Sequence, residues 1–189
     1  MDVLLNKIRS CTECAQFLDH DPRPVLRAKR TCRVAIVGQA PGAAVHKTGI
    51  PWDDKSGQNL REWLSLDPET FYDDSRVALV PMGLCYPGKG KNGDLPPRPE
   101  CAPKWHDAIF SELGNLQLTL LIGKYAQDYY LNVRSQNLTE TVRGFFHFLP
   151  SYFPLPHPSP RNNIWQAKNR WFATDVIPAL KKRVVEALS

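Results

Sequence analysis

The chain has 189 residues, enough for one domain over 1–189 with a sizeable core. Lys plus Arg number 24 against 19 Asp plus Glu, and the net charge of +5 suits either a polyanionic partner or an ordinary basic surface. No apolar run is long enough to span a bilayer and no basic-then-apolar leader opens the chain, so it reads as a cytoplasmic protein without a membrane partner.

Residues 2–9 predict a short amphipathic helix, with Leu4, Leu5 and Ile8 on one face. Residues 15–31 are polar and proline-bearing and read as loop. The run "CRVAIVG" (32–38) has the length and unbroken apolarity of a buried parallel strand. It ends at a turn, "GQAPG" (38–42), and no apolar helical pattern follows until about Ser56. A helix is expected over 56–66, with Leu60, Trp63 and Leu64 on one side. A second buried strand follows over 76–82, then a proline-rich loop over 86–99. Residues 100–113 predict a helix, 117–123 a third strand and 124–132 a helix. Residues 145–160 read as a broken, proline-marked strand leading into the turn "HPSPRN" (157–162). Residues 169–188 close the chain as a helix bent at Pro178. Strands alternate with helices, so the fold class is α/β with a largely parallel sheet. In such folds ligands bind beyond the carboxyl ends of the strands, where the Gln39 turn, the Pro81–Cys85 segment and the His157 turn all fall.

Disulfides are rare in the cytoplasm, so the five cysteines need another explanation. Cys11 and Cys14 form C-x2-C, and Cys85 and Cys101 bracket the proline-rich loop. Soft thiolates in two loop-located pairs select zinc or an iron–sulfur cluster, and spacing does not choose between them. Cys32, at the start of the first strand, reads as a plain buried thiol.

Set side by side, these pieces resemble the uracil-DNA glycosylase superfamily, most closely its iron–sulfur family 4, over nearly the whole chain. Family 4 places a C-x2-C pair ahead of a strand ending in G-E-x-P-G. It then has K-T-G-x-P-F and a helix, a second cysteine pair around a proline-rich loop, and a late motif beginning H-P. Here the same order appears as Cys11/Cys14, "GQAPG" (38–42), "KTGIPWDDKSGQNL" (47–60), Cys85/Cys101 and "HPSPRN" (157–162). The last motif is closer to the single-strand-selective monofunctional uracil glycosylases. The resemblance implies a three-layer α/β/α sandwich around a mainly parallel four-stranded sheet. It also implies a [4Fe–4S] cluster on Cys11, Cys14, Cys85 and Cys101, and a monomeric, monofunctional glycosylase that acts on DNA.

It further assigns roles by position. Gln39, where family 4 has glutamate and family 1 glutamine, would be one of the catalytic residues and would border the extruded base together with Ala40 and Gly42. Trp52 stands where an aromatic stacks on that base; the plain alternative is a core tryptophan. Family 1 orients water with an aspartate where Ala40 stands here. "DDKSG" (53–57) resembles a family 5 segment with an essential aspartate, so Asp54, with Asp53 in reserve, is the expected catalytic carboxylate. Its plain alternative is a helix cap. His157 would donate to the departing base. Ser159 and Arg161, with Lys89, Lys91 and Arg98 of the proline-rich loop, would meet the DNA strand.

One position departs from the pattern. Family 4 reads uracil with an asparagine four residues before its third cluster cysteine, and here that residue is Pro81. Asn162, Asn163 or the backbone would have to substitute, or the base is another damaged one. Two further readings stay open: a DNA-binding protein of this fold with weak or no turnover, which Pro81 favours, and a zinc-stabilised nucleotide-binding module.

Overall fold

The computed structural model describes residues 1–91, 93–133 and 136–189. Its centre is a sheet of β1 (Val34–Val37), β2 (Val77–Leu79), β5 (Leu118–Ile122) and β6 (Tyr152–Leu155), in the order β2-β1-β5-β6 with every pairing parallel. β3 (Lys89–Gly90) and β4 (Gly93–Asp94) form a separate antiparallel ribbon inside the proline-rich loop, whose residue 92 lies outside the described residues.

The strands are covered on both faces, which is why their sequences carry no polar alternation. Val34, Ile36, Leu118, Leu120 and Phe153 point to one face. There they meet α3 (Lys55–Leu64), α4 (Pro68–Tyr72), α7 (Leu138–Arg143) and, after the short α8 (Asn163–Lys168), α9 (Ile177–Leu188), through Leu60, Phe71, Val142 and Leu180. Ala35 and Ala78 point to the other face, against α1 (Asp2–Arg9) and α5 (Cys101–Ser111) through Ile8, Trp105 and Ile109. Val37 and Leu121 meet α6 (Lys124–Tyr130) through Ala126. Each fully buried Leu, Ile or Phe contributes about 1.5–3 kcal/mol by leaving water. The result is the expected three-layer α/β/α sandwich.

Several elements differ from the sequence reading. A helix, α2 (Ala43–Thr48), follows the Gln39 turn directly, with Gly42 as its N-cap. It buries only Val45, too little to leave an apolar period. The expected strand over 145–160 shrinks to β6, because Phe145–Phe148 coil into a 3-10 turn instead. The C-terminal helix does not bend at Pro178. Pro178 sits in the first turn of α9, where a missing N–H costs nothing, and the irregularity is a π turn at Phe172–Val176 just before it. Among the described residues no helix is long and apolar enough to cross a membrane.

Candidate active site

The carboxyl ends of β1, β2 and β6 deliver three segments to one cavity. Its lining includes Gly38, Gln39, Ala40, Pro41 and Gly42 after β1, Pro81 after β2, and His157 after β6. Trp52 and Asp54, at the entrance to α3, close it from the side. Val25, Val45 and Pro51 complete an apolar wall. The space amounts to about 430 Å³, counted out to its open mouth. The first two strand ends are laced together: Met82 N–H donates to the Gly38 carbonyl at 2.8 Å and Gly83 N–H to the Gln39 carbonyl at 2.9 Å.

Trp52 has φ +59°, a left-handed conformation costly for a bulky residue. Its surroundings hold it there. The Tyr72 hydroxyl donates to the Trp52 carbonyl at 3.3 Å, and Arg61 Nη1 donates to that hydroxyl at 3.2 Å. A Cβ at Gly57 would lie 1.8 Å from the Trp52 carbonyl oxygen, so only glycine lets the helix start this close. A Cβ at Gly38 would lie 2.7 Å from the indole. The Trp52 ring thus covers the end of β1, packs against the main core and lines the cavity, so its structural and site positions coincide.

Asp54 caps α3, with Oδ1 accepting from Gly57 N–H at 2.8 Å. That bond leaves Oδ2 outside the cap, and the carboxylate lines the cavity close enough to pull the His157 pKa upward. Capping does not remove Asp54 from the site. Asp53 is absent from the cavity lining.

His157 is the best-braced side chain here. Its Nδ1 accepts from Ser159 N–H at 3.2 Å, which places the ring proton of the neutral form on Nε2. Burial pulls its pKa below the ordinary value, against the smaller opposing pull of Asp54. The turn is held by Asn162, whose Nδ2 donates to the His157 carbonyl at 2.7 Å, and by Asn59, which donates to the Pro158 carbonyl at 2.8 Å. The Trp52 and His157 rings lie 5.8 Å apart.

An adjoining cleft extends outward past Lys89, Gly93, Asp94, Leu95, Ser159 and Arg161. Three residues lie elsewhere than expected. Asn162 does not line the base cavity, because its amide serves the His157 carbonyl. Lys91 is exposed and outside the cleft lining. Arg98 turns inward toward the cysteines and pairs with Glu100. The ribbon residue Asp94, in the cleft lining, is not among the expected site residues.

Beneath Pro81 lies a further buried arrangement. His106 of α5 bonds the Pro81 carbonyl through Nε2 at 3.1 Å and the Tyr130 hydroxyl through Nδ1 at 2.6 Å. The Pro81 carbonyl is therefore engaged from below.

Cys11, Cys14, Cys85 and Cys101 ring a second cavity, of about 360 Å³ with its open part included. They come from the end of α1, from the loop after β2 and from the first residue of α5. Burial pushes Cys85 up to about 11 and Cys101 up to about 12, so without a metal both are neutral thiols. Leu84 N–H donates to Cys101 Sγ at 3.3 Å. Among the described residues no three His, Cys, Asp or Glu side chains stand close enough to hold a single ion. Cys32 does not line this cavity, and its thiol donates to the Asp74 carbonyl at 2.9 Å.

Comparison with known sequences decides the family. The sequence model of the Uracil DNA glycosylase superfamily matches residues 27–181, most of the chain. The chain belongs to this superfamily. It is also similar to the type-4 uracil-DNA glycosylase of Thermotoga maritima, 25% identical over 145 residues, covering 76% of this chain and 72% of that protein. The superfamily makes it a DNA glycosylase of base-excision repair, a hydrolase that acts on DNA.

Proposed function

We propose that the chain is a single-domain, monomeric, monofunctional glycosylase that hydrolyses the N-glycosidic bond of uracil or a related damaged base. The observation that carries this is the convergence of Gln39, Trp52, Asp54 and His157 on one cavity, with the His157 proton fixed on Nε2. Trp52 stacks on the extruded base and returns the stacking lost from the duplex. Gln39 and the backbone of 38–42 border that base. His157 donates through Nε2 to the base as it departs with the bonding electron pair, and Asp54 orients water or stabilises the cationic sugar. Among the described residues, those lining the base cavity include no lysine that could form a Schiff base with the sugar, which supports water as the nucleophile. Lys89, Ser159 and Arg161 in the adjoining cleft suit the DNA backbone. The test is a panel of single- and double-stranded oligonucleotides, each with one altered base. Strand scission is expected only after alkali. No base released from any of them would leave a DNA-binding protein of this fold.

Trp52→Ala is expected to weaken capture of the flipped base by about 1–3 kcal/mol. The measurement compares affinity for an oligonucleotide carrying a non-hydrolysable damaged nucleotide with affinity for undamaged DNA. Equal losses on both would remove the stacking role.

The second cavity suits a [4Fe–4S] cluster by its donor set, four thiols lining one space. Bound there, the cluster would cross-link the N-terminal segment, the proline-rich loop and α5. Protein purified anaerobically is expected to contain about four irons per chain. Cys32→Ser should leave that content unchanged, since its thiol bonds the Asp74 carbonyl. Stoichiometric zinc would replace the cluster reading with a zinc centre.

A further inference from the structure

Among the described residues that line the cysteine cavity, Arg98 is the one cationic side chain. It is held from two sides. Glu100 accepts from Nη2 at 2.5 Å and from Nε at 3.1 Å, a bidentate pair that fixes the plane of the guanidinium. The Phe17 ring lies beneath it, 4.1 Å from the guanidinium carbon to the ring centroid. The pair uses Nε and Nη2 and leaves Nη1 outside it. The group so fixed lines the cysteine cavity together with Cys14, where burial and the Glu100 carboxylate raise the thiol's pKa and the Arg98 charge opposes them.

We propose that Arg98 is a positioning residue for the cysteine centre, and that its positive charge, fixed at the cavity wall, raises the reduction potential of the cluster against the lowering effect of the Glu100 carboxylate. This rests on the cluster reading above. Four thiolates give an oxidised [4Fe–4S]²⁺ centre a net charge of about −2, which deepens by one on reduction and lessens by one on oxidation. A nearby cation stabilises the more negative member of either couple, so it raises the potential. A backbone donor also reaches one of the sulfurs, from Leu84 to Cys101, but it is common to any side chain at 98. Phe17 and Glu100 keep the charge in place, and Glu100 brings an opposing charge that Arg98 offsets. The arrangement also explains why a basic residue of the proline-rich loop turns away from the DNA cleft.

The test is the midpoint potential of the full chain, purified anaerobically, free of DNA, with iron content measured alongside. Arg98→Met removes charge and donor at similar length, and Arg98→Lys keeps the charge without the planar fork. The methionine variant at full iron content is expected to favour the oxidised state by on the order of tenfold, a fall of about 59 mV for a one-electron couple. The lysine variant should lie between it and the parent. An unchanged potential in the methionine variant overturns the proposal. If that variant loses its iron, the lysine variant decides: a shifted potential at full iron content supports tuning, and an unshifted one overturns it. Iron lost from both overturns it too and leaves Arg98 a structural clasp. A parent protein that holds zinc, or no metal, fails at the cluster reading before any variant is measured.

Discussion

His157→Ala is expected to slow single-turnover base release by about 10²–10³-fold, the usual cost of removing one donor aimed at developing negative charge. Three features of the turn make the donor specific. Ser159 N–H occupies Nδ1, so the proton sits on Nε2. Burial keeps the ring neutral at physiological pH. Asn162 and Asn59 hold the adjacent carbonyls, so the ring needs little reorganisation as charge builds on the base. DNA affinity should barely change, because the bond to the base strengthens only as the base leaves. Rates from quenched single-turnover reactions, set beside affinities from fluorescence anisotropy, check this. A parent-like rate would return His157 to packing against Trp52. Losses in rate and affinity of equal size would make it a binding residue.

The central strands were legible because β1 and β5 are continuous apolar runs, the form a strand takes when helices cover both of its faces. β6 was blurred by Pro154 within it and by the aromatic Phe145–Phe148 turn before it. The short helices left no period, although α4 and α7 announce themselves by caps. Asp67 accepts from Thr70 N–H ahead of Pro68, and Asn137 forms a capping box with Glu140. At the site, the turns "GQAPG" and "HPSPRN" carry their own geometry in proline and glycine and could be read locally. What local sequence could not supply was the choice of partner. Arg98 faces Cys14 and Glu100 because of how the loop folds over α5, and Asn162 serves a carbonyl five residues back. His106 sits in the middle of an amphipathic helix and gives no sign in the sequence that it meets the carbonyl of Pro81.

That histidine makes folding stability depend on pH. His106 is buried among Pro81, Tyr130, Tyr129 and Phe110. Burial depresses its pKa to about 4, outweighing the opposing effects of the Pro81 carbonyl and Asp107. Burial also keeps the Tyr130 hydroxyl protonated, so Tyr130 donates to Nδ1 and His106 Nε2–H donates to Pro81. A protonated ring would turn Nδ1 from acceptor to donor and break that chain. In the unfolded chain the imidazole titrates near 6.5. Between about 6.5 and 4 the unfolded state therefore binds the proton and the folded state does not, so stability falls as pH falls through this window. The full span corresponds to about 3 kcal/mol, and roughly 2 kcal/mol of it should be gone between pH 7 and 5. His46 and His157 are shifted in the same direction, and Asp67, Asp73, Glu100 and Glu112 lose their own contributions at more acid pH. Comparison with His106→Gln cancels these shared effects. Urea denaturation of both proteins at pH 7 and 5 should show the variant losing about 2 kcal/mol less than the parent. Equal losses would mean that His106 titrates normally in the folded protein. If the glutamine variant does not fold, imidazole NMR of the parent decides, since a ring with an ordinary pKa would be mostly charged at pH 5 and this one should still be neutral. The same chain of bonds joins α5, which carries Cys101, to the carbonyl of Pro81 at the edge of the base cavity. Acid that charges His106 should therefore loosen the cavity wall as well as the fold.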